Sequence, residues 1–183
     1  MKGFNKTIKY ATIDIGSNAI RLLISNIYID KSERFSTKNS LVRVPIRLGQ
    51  DAFIKGEISK KNISRLLDSM KSFKLLMKVH NVEKYLAYAT SALRSSSNGK
   101  KIIDLIEKQT NIKIEIISGT KEARLITNNP AFLIKNKTFC FIDVGGGSTE
   151  LTLIKNNKIL ISKSFKIGGV RLINDLVNKS TWD

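Results

Sequence analysis

The chain has 183 residues, of which 42% are hydrophobic, so it can bury a core in one domain or in two small ones. Lys and Arg number 32 against 15 Asp and Glu, and the resulting charge of +17 indicates an anionic ligand without narrowing its class. No stretch has the roughly 18 uncharged apolar residues of a membrane span, and no nucleic-acid-binding motif is present. We therefore expect neither a membrane nor a specific nucleic acid as partner. The chain has a single cysteine, Cys140, which excludes an internal disulfide and favours a reducing, cytoplasmic setting. We expect this cysteine to be a buried thiol in the core.

The first part of the chain has the alternating pattern of an antiparallel meander. Three strands are predicted, at residues 9–15, 19–28 and 35–48. The last of them contains Pro45, which cannot donate a hydrogen bond, so we expect this strand at a sheet edge or at a bulge.

Helices and strands then alternate as far as residue 133. Helices are predicted at 59–79, 100–109 and 120–133, and strands at 83–89 and 113–117. Ser59 is the expected N-cap of the first helix, and Asn129-Pro130 should kink or interrupt the last one. Such alternation implies parallel pairing through right-handed crossovers, and it completes a mixed sheet.

A second meander is predicted at 138–144, 150–154 and 160–165, followed by a helix at 170–177. No further alternating strands and helices follow. The sequence therefore predicts an α/β protein with one complete domain, residues 1–133, and the beginning of a second domain, residues 134–183.

A glycine-rich turn at the start of this second meander carries the clearest chemical signal. Three glycines, Gly145 to Gly147, separate an apolar strand that ends on Asp143 from a returning strand that begins near Glu150. Glycines let backbone N–H groups approach an anion closely, and the hydroxyl of Ser148 adds a donor. The two carboxylates suit a hard cation such as Mg²⁺. An ordinary glycine-rich hairpin turn explains the three glycines about equally well.

A weaker copy of this pattern lies 129 residues earlier, where Asp14 aligns with Asp143. Residues 13–22 share four identities in ten positions with residues 142–151, and Arg21 falls on Glu150. Two such strand–turn–strand units suggest duplicated domains that face each other and grip a phosphate chain between their turns. The alternative is that two hairpins share an alternating pattern by chance.

Six motifs occur in order along almost the whole chain, at residues 14–23, 47–49, 89–94 with 98–99, 116–125, 143–150 and 167–172. Together they resemble the family of exopolyphosphatases and guanosine pentaphosphate phosphatases (Ppx/GppA). This family belongs to the actin-like ATPase superfamily of duplicated ribonuclease H-like domains. The resemblance implies one complete domain of that fold and the opening meander of a second, truncated one.

The resemblance also implies the reaction, which is release of the terminal phosphate of polyphosphate or of the 5′-phosphate of guanosine pentaphosphate. Glu122 matches the glutamate that acts as general base in the family. Without the resemblance, we would interpret Glu122 as a first-turn glutamate that the helix dipole favours.

The remaining roles are likewise implied by the resemblance. Mg²⁺ would be the cofactor, held by Asp14, Asp143 and Glu150. The phosphate chain would contact Ser17, Asn18, Arg94, Gly145, Gly146, Gly147 and Ser148, with Arg21 as a weaker candidate.

Two other functions stay open. The first is an ATP-dependent phosphotransferase of the same superfamily, and the second is a polyanion-binding module without catalysis. Members of the family are about twice a single domain in length, so we expect this chain to be a fragment of a longer enzyme or to be completed by another chain. Because an unfinished sheet leaves an open edge, we also expect a homodimer.

Overall fold

The N-terminal part of the chain is built on a five-stranded mixed sheet. The computed structural model describes residues 6–30, 34–127, 137–156 and 158–174. The strands are β1 (Lys6–Ile15), β2 (Ile20–Ile29), β3 (Arg34–Val44), β4 (Lys84–Ala89) and β5 (Glu115–Ile116), in the spatial order β3-β2-β1-β4-β5. The first three are antiparallel, whereas β4 and β5 pair in parallel, as the sequence predicts.

Five helices accompany this sheet: α1 (Leu48–Ile54), α2 (Lys60–Val79), α3 (Ser91–Ser95), α4 (Gly99–Thr110) and α5 (Gly119–Thr127). The apolar stripes of α2 and α4 supply the core, where Leu66, Phe73 and Ile106 are fully buried. Ser59 caps α2 as predicted, because its Oγ accepts a hydrogen bond from the Asn62 N–H at 3.4 Å. Among the described helices none is long and apolar enough to cross a membrane.

The prediction of a strand through residue 48 is wrong. β3 is indeed an edge strand, but it ends at Val44, directly before Pro45, and the chain then enters α1. The residues after β4 also form a helix, α3, that the sequence pattern did not predict. Both helices are shorter than two helical turns, so they contain too few apolar repeats to be recognised from the sequence.

The second sheet contains β6 (Thr138–Val144), β7 (Thr149–Lys155) and β8 (Lys158–Phe165), followed by α6 (Gly169–Ile173). One face packs against α5 and buries Glu150, Thr152 and Ile154. The predicted ends of the helices at residues 133 and 177, and the kink at Asn129-Pro130, lie outside the described residues.

The other face of this second sheet is exposed and apolar. Ile142 and Val144 on this face are 60% and 65% exposed, and Cys140 shares the face because alternate residues of a strand point the same way. The prediction of a buried core thiol at Cys140 is therefore wrong. The reason is that no described element covers this side of β6.

Candidate active site

The two glycine-containing turns have the same construction. In the β1–β2 turn, the Gly16 N–H donates to the Ala19 carbonyl at 3.2 Å. In the β6–β7 turn, the Gly145 N–H donates to the Ser148 carbonyl at 2.9 Å. The internal repeat read from the sequence is therefore a repeat in three dimensions.

The charged residues of the repeat also occupy equivalent positions. Asp14 lies opposite Arg21 in the register of the first hairpin, and Asp143 lies opposite Glu150 in the second. Because an arginine has replaced the glutamate, Asp14 forms an ion pair of 2.8 Å with Arg21. The second hairpin instead has two acidic residues side by side, which concentrates negative charge there.

The turns face each other across a cavity of about 810 Å³. A Cβ atom on Gly146 would lie only 3.0 Å from the Cβ of Ser17, so the glycine permits this close approach. Eight of the eleven site residues predicted from the sequence line the cavity: Asp14, Ser17, Asn18, Glu122, Asp143, Gly145, Gly146 and Ser148. The other three, Arg94, Gly147 and Glu150, are not part of its lining.

Glu122 is positioned by α5, which begins at Gly119, three residues after β5 ends. Its side chain is 21% exposed, and its Oε2 atom has no hydrogen-bond partner among the described residues. Burial, and then the negative charge of Glu150, raise the pKa of Glu122 to about 7, although the charge of Arg94 opposes this rise. A carboxylate with this pKa can accept a proton near neutral pH.

Arg94 contacts Glu122 rather than the cavity. Its Nη1 lies 3.7 Å from Glu122 Oε2, which is too long for a hydrogen bond, and donates to the carbonyl of Ile117 at 2.5 Å. In this arrangement the positive charge of Arg94 lies beside the carboxylate and acts to lower the pKa of Glu122. Its predicted contact with phosphate stays a prediction.

Comparison with known proteins gives the same assignment as the motifs. Residues 39–182 match the Ppx/GppA phosphatase family. The chain belongs to this family. The crystal structure of an exopolyphosphatase from Cytophaga hutchinsonii superposes with a TM-score of 0.81 and 34% identity, covering 91% of this chain and 53% of that one. The chain therefore has the α/β fold of this exopolyphosphatase over most of its length.

Curated relatives are similar over most of this chain. A bifunctional 3-dehydroquinate synthase/phosphatase from Fusobacterium nucleatum is 33% identical over 88% of this chain and 25% of its own length. Exopolyphosphatase 1 from Mycobacterium leprae is 24% identical over 92% of this chain and 49% of its own length. The chain thus spans about half the length of the exopolyphosphatases that it matches, and about a quarter of the Fusobacterium protein.

In this Ppx/GppA family member, Gly147 packs against α1 and α3. A Cβ atom at this position would collide with the ring of Phe53 and would lie 2.6 Å from Ser91 Oγ. Ser91 Oγ is also within 2.8 Å of Ser17 Oγ, in a buried pair of hydroxyls. The glycine therefore permits the β6–β7 turn to pack closely against α1 and α3, which is a role that the sequence did not reveal.

Arg171 holds the glycine turn in place, and no role was predicted for it although it lies in one of the motifs. Its Nε donates to the carbonyl of Gly147 at 2.8 Å, and its guanidinium lies 4.0 Å from the centre of the Phe53 ring. Burial lowers the pKa of the Arg171 guanidinium. The Arg171 guanidinium thus contacts both the β6–β7 turn and α1.

The predicted metal ligands do not form a closed cage. Glu150 is buried, and its Oε1 accepts a hydrogen bond from Ser164 Oγ at 2.7 Å, while Asp14 is paired with Arg21. Within the described residues, no group of three or more Asp, Glu, His or Cys side chains is close enough to hold a metal ion. The charges of Asp14, Asp143 and Glu150 nevertheless all raise the pKa of Glu122. This excess of negative charge fits a hydrated Mg²⁺ that takes one or two carboxylates and completes its shell with water and phosphate oxygens.

Proposed function

We propose that the protein is a phosphohydrolase that releases the terminal phosphate of inorganic polyphosphate and the 5′-phosphate of guanosine pentaphosphate. The observation that carries this proposal is the half-buried Glu122 side chain, which lines a cavity between two matching turns and whose carboxyl has a pKa of about 7. The exopolyphosphatases among the relatives support the substrate class.

The phosphate chain would lie between the two turns. Gly145 uses its N–H to close the second turn, so the N–H groups of Gly146 and Ser148 are the donors that we expect to meet phosphate oxygens. Ser17 and Asn18 would contact the chain from the first domain. Donors that are fixed before the substrate binds stabilise the charge that develops on the transferred phosphoryl group.

In the chemical step, a water oxygen attacks the terminal phosphorus while Glu122 accepts a proton from that water. The bridging P–O bond breaks, and its electron pair goes to the shortened polyphosphate. The products are orthophosphate and a chain that is one phosphate shorter. Asp143 would hold a hydrated Mg²⁺ together with Asp14 or Glu150, and the ion would neutralise phosphate charge when bound.

Phosphate release from long-chain polyphosphate in the presence of Mg²⁺ tests the proposal. The parent should release phosphate, and Glu122→Ala should slow release about 10²- to 10⁴-fold, the range that a general base supplies. Glu57→Ala is a matched control, because Glu57 is exposed and lies outside the cavity lining. Equal rates in Glu122→Ala and the parent would refute the base assignment.

A second candidate is a polyanion-binding module without catalysis. It is favoured by the charge of +17. Tight binding of polyphosphate without phosphate release would support this candidate. Protection of the fold by ATP but not by polyphosphate would instead favour the ATP-dependent phosphotransferase.

We also propose that the exposed face of the second sheet joins two copies of the chain in a homodimer. A contiguous apolar face of this kind marks an interaction surface, and no described element covers it. Ile142→Lys should convert a dimer to a monomer in light scattering, whereas Leu75→Lys on the exposed side of α2 should not. A monomeric parent would refute the dimer. The exposed free thiol of Cys140 supports a cytoplasmic location.

A further inference from the structure

Arg47 has a backbone conformation that arginine rarely adopts. Its φ and ψ angles are 62° and 44°, in the left-handed region. The other non-glycine residues with positive φ in the described ranges are all asparagines: Asn81, Asn111 and Asn156. Asparagine tolerates this region, whereas arginine is held there only when its surroundings enforce it, and such residues cluster at functional sites.

The surroundings of Arg47 do enforce this conformation. Its N–H donates to the Asn18 carbonyl at 2.9 Å, and the Gly49 N–H donates to the Ser17 carbonyl at 2.7 Å. The neighbours Ile46 and Leu48 are both fully buried. These contacts therefore fix the backbone of Arg47 against the β1–β2 turn before any ligand binds.

The guanidinium of Arg47 is available for an anion. Arg47 lines the cavity and is exposed, and within the described ranges its side chain makes no ion pair or hydrogen bond. Arg21 is paired with Asp14, and Arg94 with Glu122 and the Ile117 carbonyl. Arg171 donates to the Gly147 carbonyl. Arg47 is thus uncommitted, unlike Arg21, Arg94 and Arg171.

Arg47 and Glu122 follow strands at opposite edges of the first sheet. Val44, Ile20, Ile15, Ala89 and Ile116 form one row across the sheet, from the end of β3 to the end of β5. Arg47 follows the first of these strands and Glu122 follows the last, and the ends of these two strands are about 19 Å apart. A chain of several phosphates is long enough to reach from Glu122 to Arg47.

We propose that Arg47 binds phosphates of the substrate that lie beyond the one being cleaved, and that it thereby sets a preference for long polyphosphate chains. This inference rests on the proposed function. A charge-assisted contact of this kind strengthens binding of long chains without taking part in the chemical step.

Arg47→Gly tests the proposal, because glycine removes the guanidinium and adopts positive φ without strain. The KM for long-chain polyphosphate should rise about tenfold, with kcat and the affinity for pyrophosphate changed by less than about twofold. The melting temperature should stay within about 2 °C of the parent's, because the backbone relaxes. Arg47→Lys, which keeps the charge, should recover part of the affinity.

Arg43→Ala is the matched control, because Arg43 is an exposed arginine on β3 outside the cavity lining. The inference is overturned if Arg47→Gly leaves the KM for long chains unchanged, or if Arg43→Ala raises it equally. Calorimetric binding of long-chain polyphosphate separates this inference from the proposed function. If the parent binds the chain without hydrolysing it and Arg47→Gly weakens that binding about tenfold, the inference stands and the proposed function fails. If the parent does not bind polyphosphate, the inference fails too.

Discussion

Replacing Glu122 by glutamine should stabilise the folded protein at alkaline pH. The pKa of the Glu122 carboxyl rises from 4.5 to about 7 on folding, so the folded chain binds the carboxyl proton more tightly than the unfolded chain does. The stability that the proton contributes is fully present below about pH 4.5 and is lost as the pH rises through about 7. Because one pKa unit corresponds to about 1.4 kcal/mol, the ionised carboxylate lowers the free energy of unfolding by up to about 3 kcal/mol.

Denaturant unfolding of the parent and Glu122→Gln at about pH 5 and pH 8 measures this effect. EDTA should be present, because a bound cation would stabilise the carboxylate. The contributions of other titrating groups are common to both proteins and cancel in the comparison. The difference in free energy of unfolding between Glu122→Gln and the parent should therefore be about 2 kcal/mol larger at pH 8 than at pH 5. Glu57→Gln, at an exposed glutamate, should show no such difference. An equal advantage at both pH values, or a less stable variant at pH 8, would refute the assignment of a raised pKa to Glu122.

Three further predictions concern the residues around the glycine turn. Gly147→Ala should lower the free energy of unfolding by about 1–3 kcal/mol through its collision with α1, whereas Gly169→Ala, with nothing within 4 Å of the added atom, should leave it nearly unchanged. Equal melting temperatures of the two variants would contradict this packing. Arg171→Lys keeps the charge but loses the donor geometry and the aromatic stacking, so thermal unfolding should show a loss of about 1–2 kcal/mol. Full stability in this variant would mean that the contact is dispensable. Ser164→Ala should raise the Mg²⁺ concentration needed for activation about tenfold, because Glu150 loses its hydrogen bond. Ser162→Ala should leave that concentration unchanged. The same activation constant in both variants would exclude a role of Ser164 in positioning Glu150.

The sequence predicted the elements that have a long hydrophobic period. Both meanders, the long helix α2 and the amphipathic α4 lie within a few residues of their predicted bounds. The helices α1 and α3 were missed, since seven and five residues are too few to establish a helical pattern. The exposure of Cys140 was missed because alternation in a strand does not say which face another element will cover.

The candidate site was predictable where it depends on local chain geometry. Each turn is closed by a hydrogen bond between a glycine N–H and a carbonyl three residues later. Because these residues are neighbours in the sequence, the repeated pattern after Asp14 and Asp143 predicted both turns. The contacts of Gly147 with Phe53 and of Arg94 with Ile117 join residues that are distant in sequence. Such contacts depend on how the domains pack, which no local pattern encodes. The positive φ of Arg47 likewise results from tertiary hydrogen bonds.

Hydrolysis of long-chain polyphosphate in ¹⁸O-labelled water, with Mg²⁺ present, tests the central claim most directly. If Glu122 activates a water molecule in the cavity, each released phosphate should carry one ¹⁸O atom. Glu122→Gln should slow the labelled release about 10²- to 10⁴-fold while it still binds polyphosphate. Release of unlabelled phosphate, or labelled release at the parent's rate from Glu122→Gln, would contradict the account.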